Sequence, residues 1–350
     1  LQLIMKFDRN TVIGFSLLGL LFFFYFFYNS KQQKAAMAER ALRPGYIPPN
    51  VPVDKTPTLG GRPKHVNWEG NVGPDNRRFL LDRRFPWAAV GRLRRPGDPD
   101  FATGVLVGPR HVLTVSHAVN WVNVSSDPNK PDLRYDAHNH PVLFAAGYRA
   151  DQGPVTPFGD VPVVKVVTAV PYLPSPFVPP GIVDAATGGS VSTRALDLAV
   201  LILAEPIGNA VGWFGFTGWN KDWNGKAMWS HIGYPQLSDQ APPELLYGRP
   251  TYQGPDSLPA IVELRTKDFR MPNGSVIKAT NMINTFDIEG GHSGGPIFSW
   301  FGNEAAPRVA AIMNGRRGKP APGQAMDIGQ SASGGSYLVN MIDYALKTFP

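Results

Sequence analysis

The chain has 350 residues, 43% of them hydrophobic, a net charge of +7, 37 glycines, 35 prolines and no cysteine. That length and apolar share suit a globular protein with a sizeable core and exclude a disordered chain. Disulfides, thiol nucleophiles and thiolate metal sites are excluded outright. The positive charge is spread along the chain without zinc-finger spacing, a phosphate-cradling loop or an aromatic RNA-binding motif, so nucleic acid is not an expected partner.

Asn10 to Ser30 contains no charged residue and ends in the aromatic-rich run Leu21–Tyr28. A helix of that length, rising about 1.5 Å per residue, spans about 30 Å, the apolar thickness of a bilayer. The expectation is a transmembrane anchor over 10–30, with the lipid bilayer as partner and the remainder extracytoplasmic. The alternative is a cleaved signal and a secreted protein, with Ala36-Met37-Ala38 as the cleavage-like site. The stretch from Phe7 to Phe15, with Tyr28-Asn-Ser-Lys-Gln-Gln33, resembles the N-terminus of bacterial membrane protein insertases. That resemblance covers about the first 35 residues and implies only an N-terminus held inside.

Residues 31–84 read as a linker, because Pro44, Pro48, Pro49, Pro52 and Pro57 oppose regular helix or sheet. The basic pairs Arg77-Arg78 and Arg83-Arg84 read as exposed linker charge, with proteolytic processing as the alternative.

From Phe85 the pattern changes to short apolar runs bounded by Gly, Pro, Asn and Asp. Trp87–Leu93, Thr103–Val107, Val142–Gly147, Val161–Val170 and Leu198–Leu203 form one set. Ala227–Ile232, Glu244–Tyr252, Ile261–Thr266, Val276–Ile283, Pro296–Trp300 and Val309–Met313 form a second. About six strands twice over predict an all-β fold of two six-stranded antiparallel Greek-key barrels, over about 85–210 and 211–350. Leu338, Met341, Ile342, Ala345 and Leu346 recur at helical spacing and predict a closing amphipathic helix.

Three segments carry the chemistry: His111-Val-Leu-Thr-Val-Ser-His-Ala-Val119, Ala195-Leu-Asp-Leu-Ala-Val-Leu201 and Glu289-Gly-Gly-His-Ser-Gly-Gly-Pro-Ile297. A serine hydroxyl needs an imidazole within reach to take its proton, and the imidazole needs an acceptor that sets its tautomer. His117 at the end of an apolar strand, Asp197 just before one and Ser293 among glycines supply those three types. The glycine-rich turn also aims the N–H groups of Gly291 and Ser293 at one point, an oxyanion hole worth about 3–4 kcal/mol per donor.

In this order the three segments resemble the His, Asp and Ser motifs of trypsin-like (chymotrypsin-superfamily) serine endopeptidases. The resemblance covers residues 85–350. The missing cysteines and the Gly-Gly-His-Ser loop look most like the microbial glutamyl-endopeptidase-like branch. It implies a catalytic triad of His117, Asp197 and Ser293, protein or peptide substrates, an acyl-enzyme and no cofactor. It also implies a specificity pocket with Asp287, six residues before the nucleophile, and Met313, where the glutamyl type usually has a histidine. Basic and acidic specificity both stay open on those two residues. His292 stands where trypsin-like enzymes usually carry an aspartate that pairs with a new amino terminus, so activation of that type is not expected. A catalytically weak binding module on a protease scaffold and an esterase are the rival readings. His138 and His140 lack a third ligand at a recognisable spacing, so no metal site is expected.

Overall fold

The structure, a computed structural model, describes residues 42–63, 75–97, 101–127, 132–149, 155–171, 181–189, 192–235, 249–316 and 330–350. The chain divides after Arg43, and the large unit, Pro44–Pro350, holds the elements that bear on function. The anchor expected over 10–30 and the insertase-like stretch lie outside the described residues. Among the described residues no helix is long and apolar enough to cross a membrane.

The first half closes as expected. Strands β2 (Val90–Arg94), β3 (Phe101–Leu106), β4 (His111–Thr114), β5 (Leu143–Ala146), β6 (Val161–Val167) and β7 (Ala199–Leu203) form a closed barrel in the order β7-β4-β3-β2-β5-β6. Every pairing in it is antiparallel. All residues of β4 and β7 are buried, which is why β7 reads as an unbroken apolar run rather than an alternating strand.

The second half departs from the expected six-stranded barrel. Its strands are β8 (Gly215–Thr217), β9 (Ser230–Gly233), β10 (Thr251–Gln253), β11 (Ile261–Arg270), β12 (Val276–Asn284), β13 (Pro296–Ser299), β14 (Arg308–Arg316) and β15 (Gln330–Gly334). Among the described residues they run as an open path, β11-β12-β15-β14-β13-β9-β10, and the path ends on β1, Arg78–Phe79. The physical reason is edge occupancy. One edge of β10 pairs with β9, and the other, which would close the sheet, pairs with Arg78–Phe79. At the remaining seam the contact passes through a side chain, as the Asp287 N–H donates to Gln253 Oε1 at 2.8 Å.

The stretch before Phe85 is therefore partly built into the domain. Leu80 and Asp82 are buried, Gly60 and Phe79 exchange backbone hydrogen bonds through Gly61, and the Leu80 N–H donates to Pro250 C=O. The Arg149 guanidinium donates to the carbonyls of Leu80 and Asp82 from the first barrel. Arg77 differs from the exposed charge expected of it: it is 1% exposed.

Helix α1 (Ser336–Thr348) follows Gly335, whose φ of 77° only glycine adopts without strain. It buries Tyr337, Leu338, Val339, Met341, Ile342 and Ala345; four of the five residues of the expected stripe are buried and the fifth, Leu346, is half-buried. An aromatic group joins the two halves. Phe298 on β13 has its ring centroid 6.4 Å from Trp87, 5.1 Å from Phe214 and 5.6 Å from Trp300. Phe298 is fully buried, so Phe298→Ala leaves a cavity that fixed backbones on three sides cannot fill. The variant is expected to lose about 3–5 kcal/mol of unfolding free energy in chemical denaturation. A loss below about 1 kcal/mol would show that the halves are joined elsewhere.

Candidate active site

His117 and Asp197 are brought together by two turns. β4 ends at Thr114, and Ser116–Ala118 forms a single 3₁₀ turn that carries His117. Thr193–Leu196 forms a second, with Asp197 at its C-terminal end just before β7. The pairing of Ala199 with Thr114 sets these two strand ends side by side. Asp197 Oδ1 accepts the His117 backbone N–H at 3.0 Å, and Oδ2 accepts from ring Nδ1 at 2.6 Å. Both carboxylate oxygens are thus spent on one residue, and the ring proton sits on Nδ1, leaving Nε2 as the basic nitrogen.

Burial works against a charge on His117, but the Asp197 carboxylate, by Coulomb attraction and by its hydrogen bond, outweighs burial and holds the imidazole pKa above its ordinary value. Asp197 is 2% exposed, while the His117 side chain keeps 24% of its surface open. The turns themselves are braced. Thr168 Oγ1 donates to Leu198 C=O, Ser116 Oγ to Val170 C=O and Trp121 Nε1 to Ser116 C=O. Asn314 Nδ2 and Ser333 Oγ both donate to Arg194 C=O, each at 2.8 Å. None of these bracing residues has a sequence signal beyond being polar within an apolar run.

Ser293 lies on the facing loop, which is tied to the same barrel. The Thr103 N–H donates to Ser293 C=O at 2.8 Å, and Thr103 Oγ1 donates to Gly291 C=O at 2.7 Å. Thr114 Oγ1, three residues before His117, donates to Thr103 C=O at 2.8 Å. Two hydrogen bonds therefore connect the backbone of Ser293 to the strand that delivers His117. Gly294, at φ +83°, completes the approach: a Cβ there would sit 2.0 Å from Thr103 O and 2.1 Å from Thr114 Oγ1.

The turn before Ser293 is closed by the His292 N–H donating to Glu289 C=O at 3.1 Å, with Gly291 third at φ +91°. A positive φ at that position is the mark of a type II turn and calls for glycine. The N–H groups of Gly291 and Ser293 meet no acceptor among the described residues. His292 is buried and locks the turn from behind. Its Nδ1 accepts the Glu289 N–H at 3.0 Å, and its Nε2 donates to Thr251 Oγ1 at 2.9 Å.

The two residues expected in a specificity pocket are both buried. Asp287 is fully buried and its Oδ2 accepts the Asn76 N–H at 2.9 Å. Met313 is fully buried in an apolar cluster with Trp229, Ile261, Met282 and Phe286, and exchanges backbone hydrogen bonds with Gly294 and Gly295. Among the described residues no three His, Asp or Glu side chains gather to hold a metal. His138 and His140 lie on an exposed loop.

No protein-family model matches the sequence, and no curated protein is detectably similar to it. The fold has solved counterparts. A Glu endopeptidase determined in complex with MPD superposes with a TM-score of 0.51 at 17% identity, over 78% of this chain and 98% of its own. The protease Anisep from Arthrobacter nicotinovorans gives a TM-score of 0.42 at 14% identity, over 75% or less of this chain (74%) and 96% of its own. A thermostable serine protease, AL20, from an extremophilic microorganism gives 0.43 at 15%, over 75% and 98%. The fold of this chain is that of a trypsin-like serine protease.

One buried titratable group in the site region sets an acid limit. His231 on β9 donates from Nδ1 to Pro296 C=O at 3.0 Å, and burial pushes its pKa down from 6.5 to about 4. The unfolded chain then binds a proton that the folded chain refuses between those values. Stability is full above pH 6.5 and falls by about 3 kcal/mol as pH drops toward 4. His231→Phe is expected to flatten the dependence of the denaturation midpoint on pH in that window. An unchanged slope in the variant would assign the acid limit to other groups.

Proposed function

We propose that this chain is a serine endopeptidase. Ser293 Oγ attacks the scissile carbonyl, His117 Nε2 takes its proton and later gives it to the leaving amine, and Asp197 holds the imidazole and its positive charge. The oxyanion of the tetrahedral intermediate accepts from the N–H groups of Gly291 and Ser293. Water activated by His117 then hydrolyses the acyl-enzyme, and no cofactor enters. The observation that carries this reading is the doubly hydrogen-bonded His117–Asp197 pair beside a serine loop tied through Thr103 to the same barrel. An esterase on a parallel α/β sheet is disfavoured by the antiparallel barrel.

The side chain preferred at the cleavage site follows neither rule that the resemblance offers. A buried Asp287 held by Asn76 is a poor partner for a basic side chain, and an apolar Met313 is a poor partner for an acidic one. A peptide-library digest with the full chain, beside Ser293→Ala, reads activity and preference together. Cleavage is expected to disappear in the variant, and cleavage that persists unchanged sinks the mechanism.

The pH profile is a separate test. A general base acts only when neutral, and Asp197 raises the His117 pKa by favouring the charged form. The free enzyme should therefore lose kcat/KM with falling pH along one ionisation centred above 6.5. A limb centred at or below that value would mean that His117 is not the base, or that Asp197 does not act on it.

A further inference from the structure

The segment Asp75–Phe79 belongs to neither half of the fold, yet it touches the serine loop's support at three places. The Asn76 N–H donates to Asp287 Oδ2, and Arg77 Nη1 meets Glu289 Oε2 at 3.2 Å. Arg78–Phe79 pairs with β10, whose Thr251 Oγ1 accepts from His292 Nε2. Glu289 is the first residue of the turn that carries Gly291, so the Arg77 contact acts on the point where the oxyanion turn begins.

Arg77 is built for this place. Its side chain is 1% exposed and Glu289's is 3% exposed. Its Nε and Nη2 are held by Asp75, at 3.0 and 2.9 Å, which orients the guanidinium so that Nη1 faces Glu289. Burial weighs against its charge, but Asp75, then Glu289 and Asp287, outweigh burial and hold its pKa above the ordinary arginine value. A planar fork that engages two carboxylates at once is a task for Arg and not for Lys, which offers a point charge.

We propose that Arg77 is a positioning residue for catalysis, holding the oxyanion turn in its donor-forward form through Glu289. This rests on the serine-endopeptidase reading. The segment 75–79 then acts as a strap that the chain supplies to its own active site, and the turn needs no new amino terminus to order it. A turn that is loosened rather than lost still binds substrate but stabilises the oxyanion less, so the effect falls on kcat.

The test uses the full chain with Arg77→Gln, Arg77→Lys, Glu289→Gln and the double variant Arg77→Gln/Glu289→Gln. Arg84→Gln is the control, since Arg84 makes its ion pairs at a half-exposed position away from the serine loop. Steady-state kcat and KM on a peptide substrate are read beside hydrogen exchange of residues 289–293 and the thermal midpoint. Arg77→Gln is expected to lower kcat by about tenfold to a hundredfold with KM within about twofold, because a small misplacement of catalytic groups has that scale of effect. Arg77→Lys should recover part of the loss, and exchange at 289–293 should rise without a matching rise in the first barrel. If Arg77→Gln is unstable, the double variant removes both ends of the buried pair and carries the measurement; its kcat should be no lower than that of Arg77→Gln.

An unchanged kcat in a folded Arg77 variant, or a loss wholly in KM, overturns the inference. So does a loss that scales only with the folded fraction. Failure of the endopeptidase reading looks different: the unaltered chain then shows no Ser293-dependent cleavage. In that event exchange at 289–293 alone decides, and unchanged exchange in Arg77→Gln overturns the strap.

Discussion

Thr103 uses its N–H and its hydroxyl to join the two halves of the molecule, and its carbonyl to fix β3 to β4. Its N–H donates to Ser293 C=O, its hydroxyl donates to Gly291 C=O and accepts the Tyr234 N–H, and its carbonyl accepts from Thr114 Oγ1. Each such hydrogen bond contributes about 0.5–1.5 kcal/mol net, so their joint stabilisation is modest. Their geometric effect is larger. They set the serine loop against β3 and β4, with the carbonyl of Gly291 turned to the Thr103 hydroxyl. Thr103 is fully buried, and a hydrophobic replacement would leave the Gly291 C=O and the Tyr234 N–H in a dry interior without their bonds to its hydroxyl.

Around that junction the protein handles buried polar groups in two opposite ways. His117 is given a carboxylate, so it can carry a charge when a proton arrives. His231 and His292 are given a backbone carbonyl and a threonine hydroxyl, which satisfy a ring N–H without inviting a charge. The rings of His231 and His292 lie 5.4 Å apart. Three imidazoles in one region thus have different surroundings: His117 is partly open and faces a carboxylate, whereas His231 and His292 are buried against neutral partners.

Much of this arrangement was legible in the sequence because it is local. The strands of the first barrel, the stripe of α1 and the residues around His117, Asp197 and Ser293 are read from short-range pattern and residue type. What was not legible depends on partners distant in sequence. Thr103 sits in Phe101-Ala-Thr-Gly, where nothing marks it as a junction. Arg77 stands beside a second arginine in a proline-rich stretch, and its buried partner Glu289 lies 212 residues later. The open second sheet has the same origin, since no pattern within β10 says that Arg78–Phe79 will take its free edge. Asp287 shows the same dependence: its offset of six residues from the serine is read from the sequence, but its hydrogen bond from the Asn76 N–H is not.

The chain has no cysteine with which to crosslink the serine loop. A serine loop in a small β-domain must be held stiffly, and covalent crosslinks are one way to hold it. Here no disulfide can form, so the stiffness comes from contacts made across long stretches of chain: Arg77 to Glu289, His292 to Thr251, Thr103 to Gly291. A buried ion pair differs from a disulfide in what it demands. Removing one partner leaves a lone buried charge and costs about 3–5 kcal/mol, more than replacing the pair by apolar groups would. Such a restraint is therefore sensitive to any change that withdraws Arg77 and indifferent to reducing agents. It also makes the register of β1 on β10 matter for this contact, because a slip of one residue would turn Arg77 away from Glu289.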